Sequence, residues 1–294
     1  MRRDRGVLHS APMLPVIFRI PLPFEIFGAH EIPIRGFGLM VVLALLAGNW
    51  VALRLARKSG LDEEKMGNLF VVFTLAMVVG ARAFYVLTNW DEFAGHPLRA
   101  FALQRGGMVF YGSFIGAFIA VPWYSRRAGL PILKVLDIYA VAAAIGQSIG
   151  RIGCLLVGDD YGKPVSESFP LAIRFPTRTQ PGDFFGIEIP KDNGNLCALA
   201  GQWLHPTQLY LSLNALVMFF ILRWLWHRRR FDGQVVSVFI MLYAATRFAL
   251  EFFRGDEDRG YVGPLSTSQF VGVFAFAAGA ALYMLTKKRA VSVQ

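Results

Sequence analysis

The sequence predicts an all-α polytopic membrane protein with about seven transmembrane helices, and three observations support this fold class. First, 55% of the 294 residues are hydrophobic and only 17% are charged, whereas a soluble domain carries about 25% charged residues. Second, the apolar residues form long charge-free runs such as Gly36–Leu53 and Gly260–Thr286, close to the roughly 20 residues with which a helix crosses a bilayer. Third, the sequence lacks the alternating segments of about ten residues that are typical of membrane β-strands.

The first segment, 1–36, is predicted to stay outside the membrane. It begins with basic residues and continues with apolar ones, but four prolines and Arg19 interrupt it. No uninterrupted apolar core of signal-peptide length follows, and no small-residue cleavage site stands out. We therefore expect a retained outer segment, with Met13 as an alternative start because residues 1–12 carry no pattern.

The spans follow in two groups, four helices within 37–157 and three within 206–286. A loop of residues 158–205 separates the groups and is too rich in acids, prolines and glycines to cross a bilayer. Its stretch 168–176 alternates weakly and predicts a strand, and we expect this loop and segment 1–36 to form a small head on the outer face. A cytoplasmic tail, 287–294, ends the chain. The predicted spans are 37–54, 67–88, 107–125, 135–157, 206–226, 234–253 and 266–286.

Charge predicts the orientation of these helices. Fourteen Lys and Arg side chains lie in the loops and tail on one side, against four in the short loops on the other side, namely Arg99, Arg105, Arg254 and Arg259. The positive-inside rule places the richer side in the cytoplasm. We expect a bacterial cytoplasmic (inner) membrane protein with its N-terminus outside and its C-terminus in the cytoplasm. The net charge of +10 then reflects topology, and no nucleic-acid partner is expected.

Several ionisable side chains fall at membrane depth, where they are expensive and commonly functional. Arg82 lies near the outer end of the second span, Asp137 opens the fourth, and Arg151 lies within the fourth. In the sixth span the spacing i, i+4, i+8 places three polar residues on one helix face. These are Tyr243, Arg247 and Glu251.

Two interpretations of these charges remain open. Arg247 and Glu251 can form a structural ion pair, and a single arginine near an interface can snorkel to water. Alternatively, the three cations Arg82, Arg151 and Arg247 outnumber the buried carboxylates and bind an anion. Phosphate is the natural match, because the guanidinium fork contacts phosphate oxygens bidentately.

Six motifs resemble the prolipoprotein diacylglyceryl transferases of bacterial inner membranes. The resemblance covers roughly 33–286, and it rests on the order and spacing of the motifs relative to the predicted spans. The motifs are RGFGLM (35–40), GARAFY (80–85), GGMVFYGSFIG (106–116), GQSIGRIGCLLVGDDYG (146–162), HPTQLY (205–210) and YAATRFALEFFRGD (243–256).

The resemblance implies an enzyme that moves the sn-1,2-diacylglyceryl group of phosphatidylglycerol to the lipobox cysteine thiol of a preprolipoprotein, while glycerol phosphate leaves. Its partners would be phosphatidylglycerol, membrane lipids and preprolipoprotein signal peptides, with no cofactor and no metal. The family's arginines fall on Arg151 and Arg247, which we expect to bind the phosphate and the leaving group. Arg82, Asp137, Cys154 and Gly162 are the further residues expected to bind phosphatidylglycerol, while Tyr243 and Glu251 lie beside Arg247.

Some positions depart from the family pattern. Tyr111 stands where a histidine, proposed as a base, is common, and Cys154 replaces the asparagine of the GRxGN motif. A tyrosine with a pKa of about 10 is a poor base at neutral pH. His205 is the other candidate base, although it can equally cap the fifth span. Phe37, Asp159 and Leu211 replace residues that are usually Tyr, Glu and Glu.

Other functions fit the same residues. A divergent or inactive paralogue that binds lipid would explain the departures, and Cys154 in a glycine-lined helix is more often an inert core residue. An anion or lipid transporter would use the same arginines but would predict an internal repeat, and the sequence has none. The oligomeric state is not predicted.

Overall fold

The computed structural model describes residues 16–26, 29–95, 97–101, 109–175, 201–255 and 260–292. It confirms the predicted all-α polytopic class. The loop glycines at 106 and 107, Arg105, Arg259, Cys197 and the N-terminal arginines fall outside the described residues.

The described chain starts with a β-hairpin that the sequence did not predict. Strand β1, Val16–Ile26, pairs antiparallel with β2, Ala29–Arg35, so that Ile20 lies opposite Ile32. The prolines in β1 obscured it, but a two-stranded ribbon has only edge strands, where proline is tolerated. Helix α1, Gly36–Lys58, follows β2 directly.

The next elements correspond to the second, third and fourth predicted spans. Helix α2, Glu63–Thr88, begins at an Asp62 cap whose carboxylate accepts hydrogen bonds from the amides of Glu64 and Lys65. A short helix α3, Trp90–Phe93, and a 3₁₀ turn, Pro97–Phe101, follow. Helix α4 is Phe110–Arg127, and α5 is Ile132–Val157.

The remaining elements are three helices and two short antiparallel strand pairs. The expected strand in 168–176 is present as β3, Ile173–Arg174, which pairs with β4, Trp203–Leu204. Helix α6, Thr207–Arg228, precedes α7, Gln234–Leu250, which continues as a 3₁₀ turn, Glu251–Phe253. Strands β5, Tyr261–Val262, and β6, Leu265–Ser266, lead into α8, Thr267–Ser292.

Within the described residues, six helices are long and apolar enough to cross a membrane: α1, α2, α5, α6, α7 with its 3₁₀ turn, and α8. The predicted third span, 107–125, is helical as α4 but is not among these six. Its 18 residues include Pro122 and end in Arg126 and Arg127, so it has no long apolar window. Length and composition therefore support six membrane spans, and the seventh span remains a prediction.

The described chain divides into two compact units, residues 1–48 with 140–294, and residues 49–139. In the second unit α2 and α4 approach at glycines: a Cβ added to Gly80 would lie 3.2 Å from the Cα of Gly116. In the first unit Gly146 lies against the backbone of Ala44, and Gly279 lies against Met241. Small residues at these positions let the helices pack closely.

Candidate functional site

The C-terminal end of α5 turns sharply and brings an acidic residue back onto the helix. Gly158 has a positive φ of 73°, and the amide of Asp159 donates to the carbonyl of Cys154 over 3.0 Å. Asp160 also adopts the left-handed conformation, with φ of 55°, which the short Asp side chain tolerates better than most. This turn places the Asp160 carboxylate against Arg151, nine residues earlier.

The Asp160 carboxylate bridges two arginines. Its Oδ2 accepts from Nη1 of Arg151, and its Oδ1 accepts from Nη2 of Arg254, which follows the 3₁₀ turn after α7. The Arg254 side chain is only 8% exposed, and those of Arg151 and Asp160 are below one fifth exposed. A charge-assisted bridge therefore ties the end of α5 to the end of α7.

A second ion pair lies on α7. Nη1 of Arg247 contacts Oε2 of Glu251, whose side chain is 3% exposed. Nη2 of Arg247 donates to Oγ of Ser268, 3.2 Å away in the first turn of α8. Arg247 and Glu251 therefore form the ion pair that one interpretation of the sequence predicted. Arg247 also links α7 to α8 through Ser268.

The Asp160 bridge and the Arg247–Glu251 pair influence each other electrostatically. Burial by itself raises the pKa of the Asp160 carboxyl, but Arg151 and Arg254, with a smaller contribution from Arg247, hold that pKa below its usual value. Three arginines therefore accompany two acidic side chains, those of Asp160 and Glu251. The group carries one surplus positive charge in a half-buried setting, which favours an anionic ligand.

The first turn of α6 holds the acidic turn in place. Oγ1 of Thr207 donates to the carbonyl of Asp160 over 2.6 Å, and Nε2 of Gln208 donates to the carbonyl of Asp159 over 2.7 Å. Both side chains are buried. Their role is to fix the loop that carries Asp160.

Gly162 lies where three backbone segments meet. It forms an isolated bridge with Arg254, and the amide of Gly255 donates to the carbonyl of Tyr161 over 3.0 Å. A Cβ at Gly162 would lie 2.6 Å from Cβ of His205 and 2.9 Å from Cγ2 of Thr207. No side chain fits there, so glycine is required by packing.

His205 lies beside this junction in an aromatic cage. Its Nδ1 is 3.2 Å from the Tyr210 hydroxyl, and its ring centroid lies 4.9 Å from that of Phe169 and 5.4 Å from that of Phe253. Burial lowers the pKa of the imidazole below its ordinary value, so the ring is neutral at neutral pH. The N-cap residue of α6 is Pro206, without a side-chain capping bond, so the His205 side chain does not cap the helix.

Two further predicted site residues lie near the arginines in the first unit. Cys154 is buried and its Sγ is 4.0 Å from Nη1 of Arg151. Tyr243 lies one turn before Arg247 on α7, and its ring stacks on Phe239 with centroids 6.1 Å apart. Their catalytic or binding roles stay predictions.

The other predicted site residues belong to the second unit. Arg82 donates to the carbonyls of Ala100 and Arg99 at 2.7 and 2.8 Å, and thereby holds the 3₁₀ turn after α3. Tyr111, in the first turn of α4, is 68% exposed, and Asp137 is fully buried in α5. The binding roles of Arg82 and Asp137 and the catalytic role of Tyr111 stay predictions.

Sequence reasoning missed Arg254 and Asp160. Arg254 was counted among the outer loop charges, but its side chain is buried and paired with Asp160. The signal was present, because residues 247, 251 and 254 follow the i, i+4, i+7 pattern of one helix face. The identity of Asp160 as the paired acid depends on a left-handed residue, which no periodicity predicts.

The described residues of both units contain no group of three or more His, Cys, Asp or Glu side chains that could hold a metal ion. Between α7 and α8 lies an apolar groove of about 210 Å³, one residue from Arg247 along α7. Its lining residues are Ala244, Ala245, Phe248, Gly272, Val273 and Phe276.

Comparison with known proteins gives a consistent result. The family model described as prolipoprotein diacylglyceryl transferase matches residues 24–285. Phosphatidylglycerol–prolipoprotein diacylglyceryl transferase of Clostridium tetani is 31% identical over 92% of this chain and 98% of its own length. The proteins of the same name from Finegoldia magna and Vibrio vulnificus (strain CMCP6) are each 32% identical over 90% of this chain, covering 95% and 91% of their own lengths.

Proposed function

The chain belongs to the prolipoprotein diacylglyceryl transferase family, and we propose that it transfers the sn-1,2-diacylglyceryl group of phosphatidylglycerol to the lipobox cysteine of preprolipoproteins. It is a transferase and a multi-pass membrane protein. The observation that carries the proposal is the half-buried group of three arginines and two carboxylates, with its surplus positive charge.

The proposed reaction is a displacement at carbon. The cysteine thiolate attacks C3 of the diacylated glycerol and forms a C–S bond, while the bond from C3 to the phosphate oxygen breaks. Glycerol phosphate leaves with the electron pair, and the thiol proton passes to a base. Negative charge grows on the leaving phosphate, so donors fixed in advance in a poorly hydrated site stabilise the transition state.

Arg151 and Arg247 are proposed to bind this phosphate. Each guanidinium keeps donors besides the one it gives to Asp160 or Glu251, because a guanidinium has five N–H groups. The carboxylates hold the forks in one orientation, which suits bidentate contact with phosphate oxygens. Tyr243 and Glu251 would support Arg247, and Gly162 and Cys154 would shape the site around Arg151. Phosphatidylglycerol binding by Arg82 and Asp137 also stays a proposal.

His205 is proposed as the base that accepts the thiol proton. In the tautomer whose Nδ1–H donates to the Tyr210 oxygen, Nε2 is unprotonated and can accept a proton. The lowered pKa keeps the ring in this basic form at neutral pH. Tyr111, the alternative base, is largely exposed at the start of α4.

The groove between α7 and α8 is proposed to take one acyl chain of the donor. Its lining is apolar and it begins beside Arg247, so a chain lying there would leave its headgroup phosphate near the guanidinium. The enzyme is proposed to reside in the bacterial cytoplasmic membrane, with loop 158–205 and the N-terminal segment outside and the C-terminus in the cytoplasm.

The direct test is transfer of label from phosphatidylglycerol radiolabelled in its acyl chains to a synthetic lipobox peptide. The purified protein is expected to label the cysteine and to release glycerol phosphate. Arg247→Lys and Arg151→Lys keep the charge but lose the planar fork, so each is expected to lower kcat/KM by about a hundredfold, as the loss of a transition-state donor does.

The matched control is Arg126→Lys, an exposed arginine at the end of α4, which should transfer label at the wild-type rate. Expression in a strain depleted of its own enzyme should restore lipoprotein modification. Absence of transfer both by the purified protein and in that strain would refute the proposed function.

A further inference from the structure

The bridge between Arg151 and Arg254 depends on one carboxylate. Asp160 contacts a different arginine with each of its oxygens, and the two arginines come from the ends of α5 and α7. Two guanidiniums this close repel each other in a half-buried site unless an anion lies between them. The carboxylate therefore determines where both side chains point.

The neighbouring acid is arranged differently. The Asp159 side chain is exposed, and its Oδ1 accepts the amide of Asp160 over 2.9 Å, within the turn itself. In the family pattern an acid is common at the position of Asp159, and this chain carries acids at both positions. The ion pairs to Arg151 and Arg254 are made by the second acid.

The backbone of Asp160 is constrained from both sides. Its φ of 55° directs the carboxylate towards the arginines, and its carbonyl is held by the buried Thr207 hydroxyl at 2.6 Å. The preceding carbonyl is held by the buried amide of Gln208 at 2.7 Å. Two hydrogen bonds therefore hold the backbone of Asp159 and Asp160. Two ion pairs hold the Asp160 carboxylate itself.

We propose that Asp160 is the positioning residue of the phosphate site, holding Arg151 and Arg254 at the spacing in which both can contact the phosphate of the donor and of the leaving glycerol phosphate. This inference rests on the proposed function for its substrate, and it adds Arg254 to the phosphate-binding arginines. Asp160 does not touch the reacting atoms; it acts through the two guanidiniums.

The positioning role predicts a change in phosphate binding opposite to the one that the loss of a negative charge alone would cause. Asp160→Asn removes one negative charge, so electrostatics alone would make phosphate bind more tightly. Loss of positioning would make it bind more weakly, because the two forks are no longer held together. Asn also tolerates the left-handed conformation, so the backbone of the turn is preserved.

The experiment measures binding of glycerol phosphate and of inorganic phosphate, as the ligand-induced rise in melting temperature and as inhibition constants for label transfer. For Asp160→Asn we expect weaker binding by about tenfold, and a fall in kcat/KM of ten- to a hundredfold, the range of a misplaced catalytic group. Asp159→Asn is the matched control and should bind phosphate and transfer label as the wild type does.

Variants at Arg254 extend the test, and Arg254→Lys keeps it decisive where Asp160→Asn folds poorly. Arg254→Lys keeps the charge but not the fork, and should weaken glycerol phosphate binding in the same direction. The double variant Asp160→Asn/Arg254→Gln should be no worse than the more affected of Asp160→Asn and Arg254→Gln alone, because residues that act through one contact are not additive.

Equal or tighter phosphate binding by Asp160→Asn, or the same loss in Asp159→Asn, would overturn the inference. So would multiplicative losses in the double variant. If glycerol phosphate binding depends on Asp160 but the wild type transfers no label, the proposed function is refuted and the positioning role stands.

Discussion

Arg82 differs from the three arginines of the ion-pair group in what its guanidinium contacts. Arg82 donates to two backbone carbonyls, whereas Arg151, Arg247 and Arg254 each contact a carboxylate. The guanidinium of Arg82 is oriented by the 3₁₀ turn that it holds, whereas the guanidiniums of the other three arginines are oriented by carboxylates. The phosphate hypothesis therefore rests on these three arginines more than on Arg82.

At the same scale, His205 predicts an acid limb in the pH dependence of transfer. The base must be neutral to accept a proton, so activity is present above the imidazole pKa and is lost as the pH falls through it. Burial lowers that pKa below 6.5, so kcat/KM should be level at neutral pH and fall only in more acidic solution. The measurement is kcat/KM for label transfer from about pH 4.5 to about pH 8, a range that brackets the ordinary pKa of histidine.

His205→Asn is the informative variant, because the Asn amide can replace Nδ1 in the hydrogen bond to Tyr210 but offers no base. It should lower kcat by about 10² to 10⁴ and flatten the acid limb. Wild-type rates with an unchanged acid limb in His205→Asn would assign the base elsewhere, with Tyr111 as the next residue to substitute.

At the scale of elements, the contact between α2 and α4 depends on glycine. Gly80 and Gly112 face each other so closely that a Cβ on Gly112 would lie 2.8 Å from the carbonyl carbon of Gly80. The neighbours are backbone atoms, which cannot rotate away. Close backbone approach gives membrane helices their van der Waals contact where the hydrophobic effect is absent.

Gly80→Ala should therefore weaken this helix pair. The added methyl would lie 3.1 Å from the carbonyl carbon of Gly112 and 3.2 Å from the Cα of Gly116, so the helices must separate, at a cost of about 1–3 kcal/mol. The measurement is the midpoint of unfolding in detergent. Gly67→Ala, on the same helix with nothing within 4 Å of its added Cβ, should leave the midpoint unchanged or raise it, and an equal loss in both variants would contradict the packing explanation.

At the scale of the whole molecule, the number of spans depends on α4. Six helices satisfy the length and hydropathy of a membrane span, and α4 lies against α2, which is one of them. A helix packed backbone to backbone along a spanning helix is expected to share its environment. Seven spans, with the termini on opposite sides, are therefore retained as the prediction.

This topology can be tested with two introduced cysteines, Lys58→Cys at the end of α1 and Arg127→Cys at the end of α4. If α2 and α4 both cross the membrane, both cysteines lie in the cytoplasm. A membrane-impermeant maleimide should then label neither in intact cells and both after permeabilisation. Asp91→Cys, in the exposed part of α3, should be labelled in intact cells, and the unsubstituted protein controls for the natural cysteines.

Labelling of Arg127→Cys but not Lys58→Cys in intact cells would mean that α4 does not cross. In that case the chain has six spans, and the predicted orientation of all later elements would be reversed.

The sequence alone determined the fold class and the approximate limits of the helices, and it predicted Arg151 and Arg247 as site residues. Composition and charge-free runs are sufficient for this, because a bilayer imposes one length and one polarity on every span. The motifs from Arg35 to Asp256 then indicated the family, since their order does not depend on how the helices pack.

Only the tertiary structure decided which charges meet. Arg254 lies 94 residues after Asp160, and their contact requires the end of α7 to pack beside the end of α5. The β-hairpin 16–35 and the choice of Asp160 over Asp159 likewise depend on strand pairing and on one left-handed residue. The physical reason is the same in each case: hydropathy follows the chain, whereas ion pairs and backbone bridges join residues that become neighbours only after folding.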